Sequence, residues 1–257
     1  MVKYSIIIPT YKHFEDCLKP CLNSIIRSTD LSNVEVIVVA NGCEDDETKE
    51  YVESLGDHFT LLWFDEALGY TKATNAGISN ALGEYLILLN NDVVLFDRYD
   101  VNSPYPYADV PINTWINMLE QPFLEDPKIA ITGPRKLYEK SINYWFLVFA
   151  IVMIKRRLFD DFGLLDEIFN PGGGEDIDFA VKVQQAGYKI RQVPQDITDA
   201  LHWKPDSGFP CYHAGEKTVF ELDGWEGIFQ GHMQIIADRY RPRPVLIGSV
   251  IQTREII

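Results

Sequence analysis

The chain has 257 residues, of which 46% are hydrophobic and 12% aromatic, and its formal net charge is -15. A chain of this length buries about 70–75% of its unfolded surface, and so high an aromatic content excludes a disordered polymer. The acidic balance argues against nonspecific binding to nucleic acid or anionic lipid, which needs clustered Lys and Arg. A phosphate-bearing small substrate stays open, because a divalent cation can neutralise it locally.

In chain order, Tyr4–Ile8 is a β-branched run closed by Pro9 and predicts a strand. Phe14–Ser28 carries Leu18, Leu22, Ile25 and Ile26 at helical spacing. Val34–Val39 predicts a second strand and Asp45–Leu55 a helix, opened by Glu44, Asp45, Asp46 and Glu47, whose charges suit a helix N-terminus. Phe59–Phe64 predicts a strand, Thr71–Ala81 a helix and Tyr85–Leu89 a strand. This β/α alternation with near-continuous apolar strands predicts a mostly parallel sheet covered by helices on both faces.

Further on, Asp97–Pro111 is rich in Pro, Tyr and Asp and predicts a long surface loop. Helical spacing returns near Trp115–Phe123, Ile129–Gly133 looks like a strand end, and Asn170–Gly174 predicts a flexible turn leading into a helix at Glu175–Gly187. The tail after Arg241 is proline-paired and then strand-like. The apolar run Tyr144–Ile154 is shorter than the ~20 residues of a membrane span, and predicts a buried strand or two. Met1 leads almost directly into the first strand, with no basic segment or small-residue cleavage site. Cys17, Cys21, Cys43 and Cys211 lack the second closely spaced pair that a zinc site needs, so reduced, isolated thiols are expected. Together these features predict a soluble, cytoplasmic chain with no transmembrane segment and no nucleic-acid partner.

Ligands of parallel α/β sheets bind beyond the carboxyl ends of the strands. That rim holds Pro9-Thr10-Tyr11, Ala40-Asn41-Gly42 and Asn90-Asn91-Asp92. No G-x-G-x-x-G fingerprint follows the first strand, so a dinucleotide fold is not supported. Asp92, with carboxamides beside it, offers oxygen ligands suited to Mg2+ or Mn2+; it equally suits an Asx turn closing a strand. Glu175-Asp176 can cap a helix or supply a general base at the edge of a cleft. Asp178, two residues on, is expected to be structural. His202 and His213 are lone histidines in polar surroundings.

Four segments in order resemble family 2 inverting glycosyltransferases of the GT-A fold: YSIIIPTYKHFEDCLKPCLNSI, VEVIVVANG, LGYTKATNAGISNALGEYLILLNNDVVL, and VMIKRRLFDDFGLLDEIFNPGGGEDIDFAVKVQQAGYKI. The resemblance implies a single catalytic domain over 1–257, with a nucleotide-sugar half at 1–96 and an acceptor and catalytic-base half at 97–257. It implies an NDP-sugar donor (UDP, GDP or dTDP), a glycan or other hydroxyl acceptor, and Mn2+ or Mg2+. By position it implies that Pro9, Thr10, Tyr11 and Asn41 line the base, and that Gly69, Lys72, Asn75 and Asn91 shape the ribose and diphosphate pocket. Arg135 is expected on the donor or acceptor. Asp92 is the implied metal ligand with His213 beside it, Asp176 the implied base and Glu175 its partner. Ala40 and Asn90 stand where many relatives carry acids, which leaves the nucleotide's identity open and removes one charge from the metal site. The aromatics Trp115, Tyr144, Trp145, Trp203 and Trp225 are candidates to stack on a sugar, with core packing expected for most. A sugar-phosphate nucleotidyltransferase and a non-catalytic nucleotide-sugar-binding module are the alternative classes. The first is disfavoured by the absence of glycine from Pro9–Phe14.

Overall fold

The computed structural model describes residues 1–44, 46–97, 110–193, 208–215, 223–241, 245–247 and 250–252. His202, Trp203 and most of the expected 97–111 loop lie outside the described residues.

Strand β1 (Tyr4–Thr10) leads through a π-helical turn (Phe14–Leu18) into α1 (Lys19–Ser28). Pro20 explains the division of this expected helix, since proline fits a first helical turn and no later one. Then come β2 (Val34–Asn41), α2 (Thr48–Ser54), β3 (Phe59–Phe64), α3 (Tyr70–Asn80), β4 (Tyr85–Leu89) and β5 (Val93–Leu95). Helix α2 starts later than its acidic approach suggested, because the Asp46 carboxylate accepts a hydrogen bond from Thr48 N, 3.0 Å away, just outside the helix.

The second half adds α4 (Thr114–Glu125), β6 (Ile129–Gly133), β7 (Lys136–Glu139), β8 (Tyr144–Leu147), β9 (Ile151–Lys155), α5 (Arg157–Phe162) and α6 (Glu175–Gln185). It continues with β10 (Lys189–Gln192), β11 (Cys211–His213), α7 (Trp225–Tyr240) and the short pair β12 (Val245–Ile247) and β13 (Val250–Gln252). The apolar run from Tyr144 is two strands, broken at residues 148–150, as its length required.

The main sheet has the order β10-β6-β9-β4-β1-β2-β3. Strands β1 to β4 are mutually parallel, and β9 runs antiparallel to both β4 and β6. Side-chain alternation sorts the core into two layers. Ile6, Ile8, Val36, Val38, Ile87 and Leu89 face α1, α2 and α4, while Ile7, Ile37, Val39, Leu86 and Leu88 face α3, α5 and α6. Helix α3 lies close on β1 because Gly77 has no side chain; a Cβ there would stand 2.3 Å from Ile7 Cγ2. All four cysteines are buried and none forms a disulfide. Among the described residues no helix is long and apolar enough to cross a membrane.

Candidate active site

The carboxyl ends of β1, β2 and β4 meet at one rim. The strands pair in register to their last residues, with Thr10 opposite Ala40 and Asn41 opposite Phe64. Thr10 is the knot. Its carbonyl accepts a hydrogen bond from Asn41 Nδ2 at 2.6 Å, and its Oγ1 accepts one from Asn91 Nδ2 at 2.9 Å. Asn41 Oδ1 accepts in turn from the amides of Leu68 at 2.9 Å and Gly69 at 3.3 Å. The ring of Tyr11 packs on Gly42, where a Cβ would meet Tyr11 Cε2 at 3.0 Å.

Just past β4, Asp92 is buried and β5 begins at Val93. β11 pairs antiparallel with β5, with His213 opposite Val93, and this register carries His213 to Asp92. The backbone beyond β11 holds one carboxylate oxygen: Gly215 N donates to Asp92 Oδ2 at 2.9 Å. The other oxygen, Oδ1, stands 3.2 Å from His213 Nε2, with the side chains 8% and 12% exposed. Neither atom makes a hydrogen bond, and Asn90 Oδ1, two residues before Asp92 in the chain, is also buried without a hydrogen-bond partner. Buried polar atoms are normally satisfied, so these three atoms ask for a ligand. A separation near 3 Å is what two adjacent ligands show when each is bound at roughly 2.1 Å to one cation. The residues therefore fit a divalent metal.

The side with the carboxyl pair is built by Gly172-Gly173-Gly174 and the start of α6. All three glycines have positive φ, at 152°, 86° and 119°, a region that only glycine enters at low cost. The chain here is closely packed rather than loose, as the sequence had suggested. A Cβ on Gly174 would stand 2.8 Å from Phe169 Cδ1, and one on Gly173 would stand 3.0 Å from both Phe229 and Trp225. The turn delivers Glu175 and Asp176 to the first turn of α6. Asp176 Oδ1 accepts a hydrogen bond from Ile177 N at 2.8 Å. Glu175 is buried and its Oε2 has no partner. Burial raises the pKa of both carboxyl groups above the ordinary range. Glu175 is raised further by the charge of Asp176, whereas backbone N–H groups, that of Ile177 first, hold Asp176 lower.

Tyr70 joins the two sides. Its hydroxyl donates to the Phe149 carbonyl at 2.8 Å. Burial lifts its pKa well above the ordinary value, and the charges of Glu175, Asp176 and Asp92 add to that effect. The carboxyl pair and Asp92 therefore act on one phenol. Tyr70 was missed in the sequence, although it stands between Gly69 and Lys72 in the segment that carried the resemblance.

The remaining expected residues divide. Pro9 is buried within β1, beyond the stretch that β4 pairs, which is where a strand tolerates a residue without an N–H. Gly69 (φ 82°) lies against Asn170, whose Oδ1 a Cβ would meet at 2.6 Å. Lys72 is exposed on the first turn of α3, with its backbone N bonded to Asn170 Oδ1 at 3.3 Å. The Asn75 side chain bonds within the protein. Nδ2 donates to the Leu165 carbonyl at 2.8 Å, and Oδ1 accepts from Leu165 N at 3.0 Å. This buried residue ties α3 to the approach to α6. Arg135 is exposed between β6 and β7, and no described contact joins its side chain to the rim. Asp178 is buried on α6 and is bound by Lys182, Arg239 and Tyr240, at 2.6, 2.9 and 2.6 Å. Trp115 belongs to the core, Trp145 is half-exposed beside Tyr138, and Trp225 leans on Gly173. A separate cluster at the start of α1 brings one ligand atom each of His13, Asp16 and Cys17 within 4.8 Å of one another.

Residues 5–101 match the model of Glycosyl transferase family 2. Over that stretch the chain is similar to the family. The family 2 match spans β1 to β5 and so includes the rim and Asp92. The O-antigen biosynthesis protein RfbC of Myxococcus xanthus is 24% identical over 210 residues, which is 73% of this chain and 16% of RfbC. Glycosyltransferase GlyA of Streptococcus pneumoniae is 36% identical over 93 residues, which is 35% of this chain and 13% of GlyA. The chain thus spans less than a fifth of either relative. Among solved structures, the mannosyltransferase PcManGT of Pyrobaculum calidifontis, in complex with GDP-Man and Mn2+, superposes with a TM-score of 0.60 at 19% identity. That match covers 90% of this chain and 61% of PcManGT. GalNAc-T7 with UDP, GalNAc and Mn2+ gives 0.62 at 16% identity, covering 93% of this chain and 50% of the other. The fold is therefore that of GT-A glycosyltransferases, a mostly parallel sheet between layers of helices.

Proposed function

We propose that the protein transfers a sugar, with inversion, from a nucleoside-diphosphate sugar to an acceptor hydroxyl, and that the reaction depends on a divalent metal. The observation that carries this reading is the pair of unpartnered atoms, Asp92 Oδ1 and His213 Nε2, 3.2 Å apart at the rim that a family 2 donor would occupy. Thr10, Tyr11 and Gly69 line the same rim and are the proposed donor contacts, with Asn41 and Asn91 holding that rim in shape. The exposed ammonium of Lys72 is proposed to meet the diphosphate. A cation at Asp92 and His213 supplies positive charge to the departing diphosphate when bound.

Chemistry on the chain's own side is a single proton transfer. Asp176 accepts the proton of the acceptor hydroxyl as that oxygen forms its bond to the anomeric carbon. The bond from that carbon to the diphosphate oxygen breaks, and the nucleoside diphosphate leaves with the electron pair. Attack comes from the face opposite the leaving group, which inverts the configuration. A base must be ionised to act, and the backbone N–H bonds to Asp176 favour its charged form relative to Glu175. Glu175 then retains a proton longer and serves as a donor to acceptor oxygen. Residues 1–96 are proposed to hold the donor and later residues the acceptor and the base.

The test is turnover of UDP-, GDP- and dTDP-sugars with Mn2+, with the products separated chromatographically. Release of a nucleoside diphosphate is expected. Release of pyrophosphate from a nucleoside triphosphate and a sugar phosphate, with no nucleoside diphosphate formed from the nucleotide sugars, would assign the protein instead to nucleotidyl transfer, and no turnover of either set of substrates would favour a binding module.

A further inference from the structure

We propose that His232 is a positioning residue for the carboxyl pair, fixing the Gly172–Gly173 turn by a forked hydrogen bond and thereby setting where Glu175 and Asp176 stand. The role of that pair rests on the transferase reading above; the clamp itself does not. His232 lies on α7 and is 7% exposed. Its Nδ1 is 3.1 Å from the Gly172 carbonyl and 2.9 Å from the Gly173 carbonyl. Both partners are acceptors, so Nδ1 carries the hydrogen and donates to both.

A run of three positive-φ glycines has no side chains of its own to define its course and loses the most entropy on ordering. Something outside the turn must fix it, and α7 does so at several points. The imidazole binds two successive carbonyls and stands edge-on to Phe169, with ring centroids 5.6 Å apart. Phe169 is the ring that fills the space beside Gly174, and Trp225 and Phe229 of α7 fill the space beside Gly173. Helix α7 is itself anchored to α6. Arg239 binds Asp178 at 2.9 Å and Asp166 at 2.8 Å, and the Tyr240 hydroxyl donates to Asp178 at 2.6 Å. The turn and the helix it opens are thus held by one rigid neighbour. Misplacement of a catalytic group by about 1 Å can cost about 10²-fold in rate, which makes such a hold matter for turnover.

Two substitutions separate the hydrogen bond from mere packing. His232→Phe keeps a ring against Phe169 and removes the donor. His232→Asn loses the ring but places an amide N–H close to where Nδ1 stood. Hydrogen exchange in the full-length protein should show the amides of 172–177 exchanging at least about tenfold faster in the Phe variant, with recovery in the Asn variant. In parallel, GDP-mannose and UDP-N-acetylgalactosamine hydrolysis with Mn2+ should show kcat lowered by about tenfold or more in the Phe variant, KM for the nucleotide sugar unchanged, and kcat restored by Asn. His232→Leu gives the same comparison if the Phe variant does not fold. Wild-type exchange in the donor-less variant overturns the clamp whether or not any sugar turns over. Faster exchange with unchanged kcat overturns the positioning role. A wild-type protein inert towards both nucleotide sugars counts against the transferase reading instead, and the exchange result then stands by itself.

Discussion

Asp92 Oδ1 and His213 Nε2 face each other across 3.2 Å without hydrogen bonding. They come from residues 121 positions apart, brought together by the antiparallel pairing of β5 with β11. The Gly215 amide holds the other oxygen of Asp92, so Oδ1 has little freedom to turn away. The pair is preorganised, and binding a cation needs no rearrangement of the carboxylate.

The base assignment is tested at Asp176. Asp176→Asn should lower transfer by about 10²–10⁴-fold while binding of the nucleoside diphosphate, followed by calorimetry, stays intact. A variant that keeps more than about a tenth of wild-type turnover has lost far less than a general base contributes, and Glu175 would then be the better candidate.

The pH response follows from burial of the carboxyl pair. Both groups have pKa values raised in the folded protein, so they stabilise it fully below the unfolded carboxyl pKa of about 4. That contribution is lost as pH rises through the folded values. Activity should therefore gain its acid limb above the usual carboxylate range, as Asp176 ionises. Glu175→Gln removes a buried oxygen that has no partner, and a neutral side chain carries no ionisation penalty. Its melting temperature should equal wild type near pH 4 and exceed it at pH 8, where wild type bears the cost of ionising a buried Glu175. The acid limb should stay where it is, because the Gln resembles a Glu175 that keeps its proton while Asp176 ionises. Equal melting at both pH values contradicts the burial argument.

Asn75 is expected to act through its bonds to Leu165. Asn75→Ala leaves both Leu165 backbone groups without their partners, a loss of about 2–3 kcal/mol, or roughly 4–12 °C in Tm. The folded fraction should keep its KM for donor. A raised KM with unchanged Tm would place Asn75 in the donor pocket.

Much of this was legible in the sequence. The parallel half followed from β-branched runs alternating with 3.6-residue periodicity, and the rim residues followed from where those strands end. Antiparallel β9 was not, because Ile151–Lys155 is buried on both faces and its composition does not reveal direction. The meeting of Asp92 with His213 was implied only by the family resemblance, because the three-residue strand pair that makes it is too short to carry a pattern. The bonds of Asn75 were not legible because a carboxamide within a helix suits a ligand and a backbone cross-link equally; only the position of Leu165 shows the cross-link. Helix α7 went unread, although Trp225, Ile228, Phe229, His232, Ile235 and Ile236 repeat at helical spacing. Tyr70 carries no signal of its own, since its role comes from the Phe149 carbonyl and from carboxylates about a hundred residues away.

The most direct test of the account is thermal stabilisation by GDP and UDP, with and without Mn2+, in wild type, Asp92→Asn and His213→Ala. At a ligand concentration of 100 Kd, binding stabilises by about 2.7 kcal/mol. Wild type should show that shift with at least one nucleotide when Mn2+ is present and little without it, and both variants should lose most of the Mn2+-dependent part. A full Mn2+-dependent shift retained in Asp92→Asn would contradict the assignment of this site.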